Sequence, residues 1–107
     1  MLMFGRWTRS IDNKWRLSLP AALGREIDNF VLIYENEEGC IRIEKPPLKV
    51  DEVADPTSIF IIEVEKGGHN GRRILIPRSL RGSTSFYYGR KVTLVGKRDY
   101  LELWPRP

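Results

Sequence analysis

The chain has 107 residues, 41% of them hydrophobic and 30% charged, enough for one compact domain and too few for two ordinary ones. No apolar run approaches the roughly 20 residues a bilayer crossing needs, and the start, Met1-Leu2-Met3-Phe4-Gly5-Arg6, lacks the apolar core of a secretory signal. With one cysteine, Cys40, and one histidine, His69, an intrachain disulfide and a cysteine-cluster zinc site are excluded, and a reducing, cytoplasmic setting is expected.

The first predicted strand, Arg6 to Ile11, leads into the polar turn Asp12-Asn13-Lys14. A second strand begins at Arg16 and stops at Pro20, where proline suits the first turn of a short helix ending near Gly24. Strands follow at Phe30–Tyr34 and Cys40–Glu44, separated by the turn Asn36–Gly39. Lys45 to Thr57 contains three prolines and reads as a linker. Beyond it, Ile59–Glu65 is a strand and Gly67–Gly71 a glycine-rich turn. Then come a strand from Arg73, a short helix after Pro77 ending near Gly82, a strand at Lys91–Val95, a turn over Gly96–Asp99 and a last strand at Tyr100–Trp104.

The same order occurs twice because the chain contains a repeat. Arg16-Leu17-Ser18-Leu19-Pro20-Ala21-Ala22-Leu23 aligns with Arg73-Ile74-Leu75-Ile76-Pro77-Arg78-Ser79-Leu80 at a constant offset of 57, which drifts to about 60 further on. The predicted organisation is one domain, 1–107, with repeat one at 1–45, a linker at 46–57 and repeat two at 58–107. Side chains alternate along a strand, so Leu17, Leu19, Ile74 and Ile76 face one side, with Arg16 and Ser18 facing the other. A unit of about 45 residues with one apolar face buries itself poorly alone. Two such units packed face to face predict a mainly β barrel with short helices and pseudo-two-fold, interlocked halves.

Charge is unevenly spread. Residues 1–53 hold eight Lys/Arg against nine Asp/Glu, whereas residues 54–107 hold ten against five. From Lys66 to Arg98 there are nine bases and no acid, which points to a polyanion partner or to a solvated basic face.

Both copies resemble the MraZ family, within the swapped-hairpin superfamily typified by AbrB. The family pattern, Asp-x-Lys-Gly-Arg followed by apolar-x-apolar-Pro and x-x-Leu-Arg, is similar to Asp12-Asn13-Lys14-Trp15-Arg16-Leu17-Ser18-Leu19-Pro20-Ala21-Ala22-Leu23-Gly24-Arg25. His69-Asn70-Gly71-Arg72-Arg73-Ile74-Leu75-Ile76-Pro77-Arg78-Ser79-Leu80-Arg81 is the second copy, and Phe4-Gly5 resembles the family's beginning. Trp15 and Arg72 stand where the family has glycine, and His69 where it has aspartate. The resemblance implies tandem ββαββ units in a swapped-hairpin barrel and a sequence-specific DNA-binding transcriptional regulator, a repressor, associated with the nucleoid. It also implies double-stranded DNA as partner and a homo-oligomer, dimer or ring, with no cofactor, membrane or small-molecule substrate.

The residues expected to face DNA are Arg16 and Arg73, with Arg6, Arg9, Lys14 and Arg72 near them in sequence. Guanidinium groups bind phosphate bidentately and read guanine edges. Duller roles stand beside these: Arg16 pairing with Asp12, Trp15, Trp7 and Trp104 packing against the core, His69 solvated in its turn, and Cys40 buried as a small apolar side chain. An enzyme is not expected, because no Gly-x-Ser-x-Gly, phosphate-loop or dinucleotide fingerprint occurs. The alternative is a protein-interaction or antitoxin-like module of the same fold that does not bind DNA.

Overall fold

A computed structural model describes residues 3–21, 27, 29–36, 39–45, 59–66, 71–81, 86 and 89–105. The alternating segments form β1 (Met3–Ser10), β2 (Arg16–Leu19), β3 (Phe30–Glu35), β4 (Ile41–Glu44), β5 (Phe60–Glu63), β6 (Glu65–Lys66), β7 (Arg72–Leu75), β8 (Lys91–Arg98) and β9 (Tyr100–Trp104). The helix expected after Pro77 is a single 3-10 turn, Arg78–Leu80. The helix end at Gly24, the linker at 46–57, the end at Gly82 and the turn holding His69 lie outside the described residues.

Six antiparallel strands form one sheet in the order β1-β8-β9-β4-β3-β5, and three form a second in the order β2-β7-β6. Taking β1 with β5, β3 with β8 and β4 with β9 as counterparts, the six-stranded order reads the same from either edge. Each first strand joins the other half's hairpin: β1 pairs with β8, and β5 pairs with β3. The halves are interlocked, and the molecule is a mainly β, pseudo-two-fold barrel-like fold.

The register places the symmetry on named residues. Leu17 faces Ile74 across β2 and β7, and these are the repeat-equivalent pair 57 residues apart. In the large sheet Arg42 faces Glu102, the equivalent pair 60 residues apart. Leu17, Ile74, Ile33, Ile41, Ile43, Leu94, Leu101 and Leu103 have essentially no solvent exposure and form the centre of the core. Burying each such side chain stabilises the fold by about 1.5–3 kcal/mol.

Two predicted boundaries are corrected. Residues 59–65 do not form one strand: β5 belongs to the large sheet and β6 to the small one, with buried Val64 between them donating its N–H to the Asn29 carbonyl at 2.8 Å. Ile11, which bridges Leu17, makes the same change of sheet after β1. Nor is Gly96–Asp99 a four-residue turn. β8 runs through to Arg98 because β1 pairs with its whole length, Met3 to Arg98 and Ser10 to Lys91. Gly96 and Gly5 are register partners there. A Cβ on Gly96 would lie 2.8 Å from the Met3 carbonyl oxygen, so only glycine allows that approach. The turn shrinks to Arg98 and Asp99, with Arg98 at φ +78°.

Cys40 is fully buried, and Trp7 packs against the core. Around the Arg42–Glu102 axis, the sheet face away from the core carries a polar network. Arg42 lies over the Tyr100 ring, 3.6 Å from its centroid, and its Nε pairs with Glu44 Oε1 at 2.9 Å. The Tyr34 hydroxyl donates to the same Glu44 oxygen at 2.7 Å. Burial and the neighbouring Glu44 carboxylate push the Tyr34 hydroxyl up to about 12. Trp104 Nε1 donates to Glu102 Oε1 at 3.3 Å.

Candidate nucleic-acid interface

The turn between β1 and β2 is organised by one carboxylate. Asp12 Oδ1 accepts the backbone N–H groups of Lys14 and Arg16, both at 2.9 Å, while Oδ2 accepts Arg16 Nε at 2.9 Å. Backbone bonds from Asp12 N–H to the Arg16 carbonyl and from Trp15 N–H to the Asp12 carbonyl, each 3.0 Å, close the loop. Desolvation is the largest single influence on Asp12 and works to raise its pKa. The two N–H groups and the Arg16 guanidinium together outweigh it, leaving the carboxyl below its ordinary value of 3.8.

Trp15 has φ +61°, a left-handed conformation that favours glycine. Its ring is half-buried against the core, and its carbonyl accepts the Ile76 N–H at 2.8 Å, which ties the turn of one half to the other.

Directly opposed residues of an antiparallel pair share a face. Arg16 lies opposite Leu75, and Ser18 opposite Arg73. With Leu17 and Ile74 turned into the core, Arg16, Ser18, Arg73 and Leu75 form the outward face of β2–β7. Arg16 and Arg73 are diagonal neighbours on it, a relationship that sets Cα atoms roughly 7–8 Å apart. Exposed Lys14 stands at the adjoining turn.

The other expected residues are placed differently. Arg72 is opposite Leu19, on the core side, and its guanidinium donates to the Ile27 carbonyl. Arg9 is half-buried, in phase with Trp7 and Ile11, with Nη1 on the Thr8 carbonyl at 3.0 Å. Arg6 is exposed in the middle of β1, six residues before Asp12 and so roughly 20 Å away along the strand. Lys14, Arg16 and Arg73 are thus brought together, whereas Arg6 and Arg9 extend from them along β1.

Two residues on this face escape sequence reading. Glu65 is the register partner of Arg73, as Asp12 is of Arg16. Four residues separate Asp12 from Arg16 and eight separate Glu65 from Arg73, so a fixed repeat offset hides the correspondence. The two pairs differ in one respect: Arg16 is bonded to its acid, whereas no carboxylate among the described residues forms an ion pair with Arg73, whose Nε is shielded and lacks a hydrogen-bond partner. The second residue is Leu75. It falls out of phase with buried Ile74 and Ile76, the one signal that marks it as outward-facing.

No family model matches the chain. It is 25% identical over 115 residues to the transcriptional regulator MraZ of Thermus thermophilus, covering 94% of this chain and 80% of that protein. Its identity to the transcriptional regulator MraZ of Alkaliphilus metalliredigens is 28% over 117 residues, 96% of this chain and 80% of the relative. A third MraZ transcriptional regulator, from Thermomicrobium roseum, is 28% identical over 123 residues, with 96% and 81% covered.

Proposed function

The chain is MraZ-like along almost its whole length, and we propose that it is a DNA-binding transcriptional regulator, sequence-specific and acting as a repressor. The observation that carries this reading is the diagonal placement of Arg16 and Arg73 on one outward face at the pseudo-two-fold. The major groove admits a two-stranded β-ribbon, and arginine reads the O6 and N7 of guanine. Asp12 engages Arg16 through Nε, leaving the two Nη groups for a guanine edge or a phosphate while fixing the side chain's direction. Lys14 supplies a phosphate contact from the turn, and Arg72, held on the Ile27 carbonyl at the other end of the β2–β7 ladder, adds charge at longer range. Arg9 and Arg6 continue the positive charge along β1 and act over a longer range.

The same reading takes the chain as two tandem units, 1–45 and 58–107, joined by 46–57. It acts in the cytoplasm on double-stranded DNA at the nucleoid, as a dimer or ring. The carboxylates of Asp12 and Glu65 beside the two arginines favour a second reading, a protein-interaction module whose arginines serve its own structure.

A gel-shift with genomic fragments at low salt separates the two. Binding that Arg16→Ala with Arg73→Ala abolishes supports the regulator. Failure of the intact protein to retard any fragment rejects it in favour of the interaction module.

A further inference from the structure

The pseudo-two-fold that relates Arg16 to Arg73 also relates Ser18 to Leu75, and here the two copies differ in chemistry. Ser18 is exposed opposite Arg73. Leu75, with 39% of its surface exposed, lies opposite Arg16. A single exposed leucine on a soluble protein needs no explanation in itself. Leu75 is notable for its place, between two guanidinium-bearing side chains at the centre of a face whose reverse side is sealed into the core.

We infer that Ser18 and Leu75 make this face read the two halves of its DNA site differently. The inference rests on the DNA-binding reading above. Leu75 packs against the C5-methyl of a thymine beside the guanine held by Arg16. In the other half Ser18 offers a hydroxyl, which donates to or accepts from a base edge and does not select for a methyl. The spacing fits. Leu75 and Arg16 are directly opposed across β2 and β7, so their Cβ atoms lie about 4.5–5.5 Å apart, between one and two base steps of about 3.4 Å. The thymine is therefore expected within two base pairs of the guanine. The preferred site is an inverted repeat broken at that position, because a symmetric frame carries one apolar and one hydroxyl reader.

The experiment replaces thymine by uracil, which removes only the methyl group. Duplexes are first selected by the purified full chain from a randomised library. The enriched duplex is then remade with deoxyuridine at one thymine at a time. The expected result is a single position where binding weakens about fourfold, the effect of returning one methyl-sized surface to water. In Leu75→Ser that sensitivity disappears, and renewed selection yields a more symmetric sequence. Retained binding that is indifferent to uracil at every position, or a fully symmetric sequence selected by the unaltered chain, overturns the inference and leaves the DNA reading standing. Failure to enrich any duplex overturns both. The uracil series on the unaltered protein needs no variant, so a folding defect in Leu75→Ser cannot hide the answer.

Discussion

The guanidinium of Arg81 lies over the indole of Trp15, 5.1 Å from the ring centroid, and its Nε donates to the Ile76 carbonyl at 2.9 Å. Ile76 in turn donates its N–H to the Trp15 carbonyl. The two repeats are thus clamped together beside the proposed DNA face. Trp15 is held in a left-handed conformation that costs a non-glycine residue about 1–2 kcal/mol. Its half-buried ring and the cation above it return more than that, through buried area of roughly 2–3 kcal/mol and a stacking contribution of about 0.5–1 kcal/mol.

Trp15→Gly is therefore expected to lower stability despite relieving the backbone. The net loss of about 1–2 kcal/mol corresponds to a fall in Tm of roughly 5–10 °C for a domain of this size. Arg81→Ala should lower Tm by less, and the double variant by less than the sum, since the two residues share one contact. Thermal denaturation followed by circular dichroism measures all three. A Trp15→Gly variant more stable than the parent would show that the ring and the cation above it return less than the left-handed backbone costs.

Asp12 sets an acid limit on the turn. Its folded pKa lies below 3.8, so its contribution is fully present above that unfolded value and is lost as pH falls through the lower folded value. Urea unfolding of the parent and of Asp12→Asn should differ most at neutral pH. The gap should narrow progressively once pH drops below 3.8, as the carboxyl gains a proton and releases Arg16. A gap that does not change with pH would place the effect of the substitution elsewhere than in the carboxylate.

Gly96→Ala tests the seam between the halves. The added methyl meets the Met3 carbonyl oxygen at 2.8 Å and the Met3 and Phe4 carbonyl carbons at 2.9 Å, all backbone atoms that cannot rotate away. Overpacking of this kind costs about 1–3 kcal/mol. The expected signature is local: amide hydrogens of β1 should exchange faster, with those of β3 and β4 little changed. Uniform acceleration throughout the chain would point to global destabilisation and away from a displaced edge strand.

The electrostatic part of DNA binding is read from salt. If about four to six phosphates are neutralised, the logarithm of affinity should fall with the logarithm of salt at a slope of roughly −4 to −5. Lys14→Ala should reduce the slope by about one and weaken all sequences alike, whereas Arg73→Ala should also relax sequence preference. Arg6→Ala, far along β1, should change both least. Affinity that stays flat from low to moderate salt would remove the phosphate contacts from the account.

Much of this is legible in the sequence alone. The shared pattern Arg16–Leu23 and Arg73–Leu80 placed both arginines at strand starts and turned Leu17 and Ile74 inward, and β2 and β7 follow it. Pairing across the halves was not legible, because alternation says which face a residue takes and nothing about which strand lies beside it. The extent of β8 shows this: Gly96 reads as a turn residue until β1 is known to lie against it. Glu65 was hidden for a different reason. The second hairpin carries a longer loop than the first, so residues equivalent in register cease to be equivalent in sequence offset.

The exchange of β1 and β5 between halves has a consequence during synthesis. The nearest pairing of β1 joins Ser10 to Lys91, a separation of 81 residues, and β2 waits for β7, whose nearest pairing, Leu19 to Arg72, spans 53. A ribosome that has finished only the N-terminal half has made a strand with both hydrogen-bonding edges open and leucines with nothing to cover them. Closure comes late, when the C-terminal hairpin emerges. Such long-range topology folds slowly and leaves the nascent chain open to association with other unpaired strands in the interval.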